Sequence, residues 1–393
     1  MKPTLTYLFL TFLRIGATSW GGFMVLISMI QKKVVEKDGN LEANVIMEGI
    51  SLASVLPGPM AVNVVSFVGY RLGGWTGAFV SVVAVLLPSF LLMLALSHLY
   101  FLYGNIPAMS HFFSGILPAV AAIIISVAVN LGEKSIKDLP QIVIAIASAV
   151  LIFFSKSYLT TLTILVGSGI FGYIFYYKPA PAQTLPEQGT SEIRASRKQY
   201  WLLIPVAALV LLFVFINKSP GIHLHKTILL TFSGMSLSQF GGGYVIIPTM
   251  QKIVVDGMKW LSDKEFVDAV AMGQITPGPI FVSATFIGYK LAGFWGALNA
   301  TISIFFPTAI LTVFCAKFFN KISSSALVTA IFKGLRPAII GMIASAALTI
   351  LWNNGLSIFT IAIFALALLT IMRFKIDPVY VIPVAGIIGI LIL

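Results

Sequence analysis

The sequence predicts an all-α polytopic membrane protein made of two homologous units fused in one chain. Three observations predict it. Of 393 residues, 58% are hydrophobic and only 10% charged, where an ordinary soluble domain carries about 25% charged residues. Apolar runs long enough to cross a bilayer, which takes about 20 residues, recur from one end to the other. Blocks of the first half also return, in the same order, in the second.

The first block, "WGGFMVLISMIQKKVVEKDGNL" (20–41), aligns with "FGGGYVIIPTMQKIVVDGMKWL" (240–261). "PGPMAVNVVSFVGYRLGGWTGA" then aligns with "PGPIFVSATFIGYKLAGFWGA" after one deletion, and "FFSGILPAVAAIIISVA" (112–128) with "IFKGLRPAIIGMIASAA" (331–347). Three collinear blocks mark an internal duplication.

Each unit reads as roughly six membrane elements. The first unit, 1–177, has a span over 4–34, an element over 42–72 broken at PGP, and spans near 75–103, 108–132, 138–155 and 157–177. Residues 178–199 are rich in Pro, Gln, Ser and charge and form a polar linker. A connecting segment, 200–221, holds one extra span, "YWLLIPVAALVLLFVFI". The second unit, 222–393, repeats the pattern at 222–254, 263–291, 295–318, 325–352, 355–371 and 375–393. That makes about thirteen membrane elements. The opening "MKPTLTYLFLTFLRIGATSW" has a basic first turn and an apolar run. Arg14 interrupts that run and no small-residue cleavage site follows, so it reads as a retained span.

The extra span bears on orientation. If the broken elements cross the membrane, the second unit is inverted relative to the first; if they re-enter, the units run parallel. The net charge of +12 lies mostly in short loops, which reflects orientation in lipid rather than nucleic-acid binding, and it does not separate the two cases. Paired broken elements in corresponding halves favour inverted repeats. The single cysteine, Cys315, reads as a small buried hydrophobe.

Two prolines flank a glycine at 57–59 and again at 277–279. Proline lacks a backbone donor and glycine is a poor helix former. In hydrocarbon such a break survives only against protein or a water-filled cavity. New half-helices begin near Met60 and Ile280, and helix N-termini present free N–H groups and a positive dipole end to anions. Pro57, Gly58, Pro59 and Asn63, with Pro277, Gly278 and Pro279, are therefore candidate substrate contacts. A kink used for packing competes for one such motif; two matched copies favour a site.

Gly21 and Gly22 in the first half, with Gly241 and Gly242 in the second, form another matched break. They are read as packing or as backbone at the site. Gly69, Gly73 and Gly77, echoed by Gly288, Ala292 and Gly296, are read as packing. Glu48 and Asp268 each stand nine residues before the first proline of a PGP, about 13 Å along a helix. They are candidate coupling acids, with a solvated helix start as the competing reading. Arg14, Lys333 and Arg336 fall within spans and face Gly234, Ser114 and Leu117 in the repeat alignment. They suit an asymmetric anion pathway or snorkelling to the interface. Arg71 and Lys290, each after "GY", read as interfacial anchors, and Gln31 and Gln251 as helix ends. There is no phosphate loop, H-E-x-x-H or triad-like grouping, so neither an enzyme, a cofactor nor a metal site is expected. His223 and His225 read as a solvated loop.

Together these blocks resemble the chromate ion transporter (CHR) family, in its long form with two homologous halves fused. "SWGGF" and "SQFGGGY", "ASVLPGPMAVN" and "MGQITPGPIFVS", and "FVGYRLGGWTGA" with "FIGYKLAGFWGA" carry the resemblance. It covers nearly the whole chain apart from the linker. It implies an inner-membrane carrier with antiparallel halves that exports chromate from the cytoplasm on the proton-motive force, with sulfate as a close mimic. Phe23 and Gly243 replace the proline that often follows the double glycine, and the glutamine before PGP is present only as Gln274, with Ser54 in the first half.

The resulting expectation is a secondary transporter whose oxyanion lies between the two broken elements. Backbone N–H groups around Gly58 and Gly278, Gln274 and nearby cations would hold it while the halves rock. Expected partners are the oxyanion and the lipid bilayer, not nucleic acid, and a homodimer is left open. The alternative is a membrane-embedded enzyme or carrier acting on a lipid phosphate, which could use the same half-helix N-termini.

Overall fold

A computed structural model describes residues 3–19, 23–103, 107–155, 158–177, 220–239, 246–316, 326–353, 355, 357–376 and 378–392. The linker at 178–199 and the extra span at 200–216 lie outside the described residues. All regular structure among the described residues is helical.

The first unit opens on a hairpin, which corrects the expectation of a single span over 4–34. Helix α1 (Leu5–Thr18) is N-capped by the Thr4 side chain, which satisfies an otherwise orphan donor of the first turn. Helix α2 (Phe23–Ile30) continues as a π-helical stretch, Gln31–Lys37. The Tyr7 hydroxyl donates to Asp38 and accepts from Asn40 Nδ2 at 3.0 Å. In a straight helix, residues 31 apart would be separated by about 47 Å. Contact between them means that the two arms lie back to back. Asp38 sits in the loop beyond α2, where hydrogen bonds from Tyr7 and Lys33 hold its carboxyl below the usual carboxylate range.

The PGP element folds the same way. Helix α3 (Ala43–Val55) precedes the break and α4 (Met60–Tyr103) follows it. Arg71 meets Glu48 at 2.6 Å across 23 residues, where a straight helix would hold them about 35 Å apart. Helix α4 itself breaks at Gly73 and Gly74 (φ 66°) into an arm, α4a (60–72), and a span, α4b (75–103). A Cβ on Gly69 would stand 2.7 Å from the Gly77 carbonyl oxygen, so the glycines read as packing close a corner within one chain segment. The 13-residue α3 is about 20 Å long, short of a bilayer core of about 30 Å. Both hairpins therefore enter and leave on one side.

The second unit repeats each device. Helix α8 (Pro220–Ser238) pairs with α9 (Ile246–Gln251) and a second π stretch, Lys252–Gly257. Gln31 and Gln251, read from sequence as helix ends, instead mark where α winding widens to π. Helix α10 (Asp263–Ile275) starts on a capping box between Ser262 and Glu265. Residues Ile280–Val282 and α11 (Ser283–Cys315) follow the PGP, with a corner at Ala292 and Gly293 (φ 57°) dividing α11a (283–291) from α11b (294–315). Lys290 reaches Glu265 at 2.6 Å, folding α11a back on α10.

The equivalent spans α4b and α11b cross antiparallel. Trp75 meets Phe314 with ring centroids 5.0 Å apart, Phe79 meets Phe306 at 5.7 Å, and Phe90 meets Phe294 at 6.3 Å. Equivalent helices running in opposite directions make the units inverted repeats. The sequence argument tied inversion to PGP elements that cross. Inversion holds although they re-enter, because the first element of each unit re-enters as well.

The remaining helices are α5 (Pro107–Ser135), α6 (Leu139–Phe154), α7 (Tyr158–Tyr176), α12 (Ala326–Asn353), α13 (Ile358–Phe374) and α14 (Pro378–Ile392). They pack mainly on one another and exchange partners between units: α12 lies on α6 and α7, and α5 on α13 and α14. Glycines permit the approach. A Cβ on Gly334 would stand 2.0 Å from the Ser168 carbonyl oxygen, and one on Gly115 2.3 Å from that of Ala385. The molecule thus has a hairpin layer (α1–α4 and α8–α11) and a scaffold layer (α5–α7 and α12–α14), each drawn from both units. Outward side chains such as Phe154 and Ile358 are strongly exposed, as suits a lipid-facing surface.

Candidate functional site

Each PGP is a tight reversal with its backbone groups accounted for. Leu56 N–H closes α3 on the Leu52 carbonyl, and the two prolines contribute no donors. Gly58 adopts φ +96° and Gly278 φ +105°, where glycine is strongly preferred. Asn63, fully buried, donates from Nδ2 to the Pro57 carbonyl at 2.8 Å.

Each tip is bonded to the opposite unit. Gly58 N–H donates to the Gln239 carbonyl at 2.6 Å, and Gly278 N–H donates to the Ser19 carbonyl at 3.1 Å. Ser19 and Gln239 are aligned residues just before the glycine breaks, so the PGP tip of each unit is fastened to the other unit's first hairpin. Gly58 also faces Thr308, and Gly278 faces Ser89. Each of these hydroxyl residues follows a proline, Pro307 or Pro88, midway along α11b or α4b. Each PGP tip thus lies against the middle of the opposite unit's long span.

Several polar atoms there have no hydrogen-bond partner among the described residues: Ser19 Oγ, Asn63 Oδ1, Gln239 Oε1 and, on α9, Thr249 Oγ1. All four residues are buried, and buried polar groups are ordinarily paired. The Lys252 ammonium nitrogen is likewise buried without a partner. Chemically, the centre offers hydroxyl, amide and helix-start N–H groups to a polar guest. Among the described residues no group of three or more His, Cys, Asp or Glu is placed to hold a metal ion.

The two aligned acids differ in surroundings. Glu48 is paired with Arg71 inside its hairpin. Asp268 is fully buried; its Oδ2 accepts from the Tyr100 hydroxyl of α4b at 2.7 Å, and its Oδ1 has no partner among the described residues. The cause is a one-turn offset. Lys290, the counterpart of Arg71, goes to Glu265, which stands where the first unit has Val45.

Pro57, Gly58, Pro59 and Asn63 lie together at the first tip, and Pro277, Gly278 and Pro279 at the second, each tip packed on the opposite unit's span, at Thr308 and at Ser89 respectively. Gln274 lies in the last turn of α10, before Pro277. Gly21, Gly22, Gly241 and Gly242 lie outside the described residues. Arg14 is exposed on α1, one turn before its break. Lys333 and Arg336 are exposed in the first turns of α12. Lys333 Nζ stands 5.6 Å from the Tyr176 ring, whose hydroxyl donates to Asp138 at the end of α7. No recorded contact brings these two cations to the tips. Sequence reasoning missed Ser19, Gln239, Ser89 and Thr308. The repeat alignment held a signal for the last two, since Pro88–Ser89 falls on Pro307–Thr308. Tyr100 had none, as its aligned partner is Phe319.

A family model described as "Chromate transporter" matches residues 6–173 and 226–390. A chromate transport protein of Cupriavidus metallidurans is 30% identical, covering 95% of this chain and 89% of its own. A probable chromate transport protein of Synechococcus elongatus is 31% identical, over 86% of this chain and 82% of its own. An uncharacterized transporter of Methanocaldococcus jannaschii is 26% identical, over 100% and 95%. No solved structure matches.

Proposed function

The chain belongs to the chromate transporter family, and from that premise we propose that it exports chromate from the cytoplasm across the inner membrane, driven by the proton-motive force. Membership of a transporter family points away from an enzyme. The observation that carries the reading is the matched pair of PGP tips, each fastened to the other unit's first hairpin and packed against the middle of its long span. Helix starts and the unpaired hydroxyl groups of Ser19 and Thr249 supply donors suited to a tetrahedral dianion.

Gly58 and Gly278 donate their N–H groups to carbonyls of the opposite unit in this conformation. They become available to an ion only when the tips part. Since the scaffold layer interlocks the two units, the proposed movement swings the PGP hairpins away from the spans they pack on rather than moving one half against the other. The substrate is proposed to be an oxyanion of the chromate and sulfate type, and the lipid bilayer the surrounding partner.

The test is chromate flux in proteoliposomes. Pro57→Ala combined with Pro277→Ala restores a donor at each tip and relaxes the reversal. Flux is expected to fall at least about tenfold, equivalent to about 1.4 kcal/mol, while the protein stays inserted and monodisperse. Undiminished flux in that variant would overturn the site.

A further inference from the structure

Asp268 is 0% exposed, and among the described residues it is the acid with no exposed surface. A buried carboxylate is costly unless its oxygens are paired. One of its oxygens is held by Tyr100 and the other has no partner among the described residues. The bond also joins the two units: Asp268 lies on the second PGP hairpin, and Tyr100 near the end of the first unit's span α4b. We propose that Asp268 is a proton-operated latch on the second PGP hairpin. Ionised, it holds the hairpin against α4b through Tyr100; protonated, it releases the hairpin so that its tip can leave the centre. This deepens the proposed transport reading and rests on it.

The step is a simple protonation. A proton from water at the base of the hairpin adds to Oδ1, the oxygen without a partner. The carboxylate becomes a neutral carboxyl, and Tyr100 keeps its own hydroxyl proton throughout. A hydrogen bond to a charged acceptor is roughly twice as strong as one between neutral groups, so neutralising Asp268 weakens the contact that holds the hairpin.

The surroundings leave this role to Asp268 and not to Glu48. Tyr100 faces it from α4b, and Lys264 and Glu265 act on it from its own helix. Glu265 is engaged by Lys290 of α11a. Beside these, Tyr289 of α11a is bonded to His98 of α4b at 2.7 Å. The other elements packed on α10 carry His111 and Glu133 (α5) and Tyr380 (α14) as described ionisable side chains; none is recorded in contact with Asp268. Glu48, by contrast, has the Arg71 guanidinium at 2.6 Å, a cation that stays charged at any working pH.

The experiment compares wild type, Asp268→Asn, Glu48→Gln and Tyr100→Phe in proteoliposomes. Chromate counterflow without a gradient tests transport itself, and stimulation by an imposed pH gradient tests the latch. Asp268→Asn is expected to keep counterflow within about twofold of wild type while losing all stimulation by the gradient. Glu48→Gln should keep its stimulation. Tyr100→Phe removes a bond that favours the ionised form, so the pH midpoint of flux should move upward by about one unit. A second readout needs no transport: the carboxyl infrared band, titrated with pH as the difference between wild type and Asp268→Asn. It should titrate, and its midpoint should rise in Tyr100→Phe. Full gradient stimulation in Asp268→Asn, no stimulation in wild type, or a difference band that does not titrate overturns the latch. Absent wild-type counterflow overturns the transport reading instead, and the infrared titration still decides whether Asp268 takes up the proton.

Discussion

A side chain at Gly58 would have to tolerate a φ of +96° and the Thr308 side chain at about 2.5 Å. At Gly278 the φ is as strained, +105°, but the nearest atoms, those of Ser89, stand at 3.4 Å. Left-handed backbone costs an alanine roughly 1–2 kcal/mol. Overlap with a β-branched residue adds to that, because Thr308 is stiff at χ1. Gly278→Ala is therefore expected to insert normally and lose a few degrees of thermal stability in detergent. Gly58→Ala should be markedly less stable and should lose chromate flux. Equal melting of the two variants would show that Thr308 does not crowd the first tip.

At the scale of elements, the hairpins explain both what the sequence disclosed and what it hid. Hydropathy reports apolar length, and α1 with α2 is apolar enough in total to pass for one span. What exposes the fold-back is Tyr7 touching Asp38, a contact between residues far apart in sequence that no local pattern encodes. The PGP breaks were legible because proline and glycine act on the chain locally. The Glu48–Arg71 and Glu265–Lys290 pairs were not, since each depends on the direction in which the chain leaves its break. Re-entry makes a topological prediction. With Cys315 replaced by alanine, single cysteines at Glu42 and Thr76 should label with an impermeant thiol reagent from one face of the membrane. Cysteines at Lys259 and Trp295 should label from the opposite face. Labelling of Glu42→Cys and Thr76→Cys from opposite faces would make the first PGP element a crossing helix.

Over the whole molecule, the two sequence repeats are not the two structural layers. Duplication was readable as collinear blocks, but the exchange of partners between α5 and α13–α14, and between α12 and α6–α7, was not. Small residues scattered along apolar helices look alike in sequence whichever neighbour they meet. Because each unit completes the scaffold of the other, a chain cut within 178–199 and co-expressed as two pieces is expected to keep chromate flux. Either piece alone should accumulate poorly in the membrane; robust accumulation of a single piece would argue that the layers are separable by unit. The bonds at the centre carry a further consequence. Ser19 and Gln239 differ in size and functional group, yet each accepts a tip's N–H through its backbone carbonyl oxygen rather than its side chain. Such a clasp is indifferent to residue identity and sensitive to chain length. Substitutions can drift at these two places over evolutionary time, while the gain or loss of one residue between a glycine break and its PGP would put the clasp out of step.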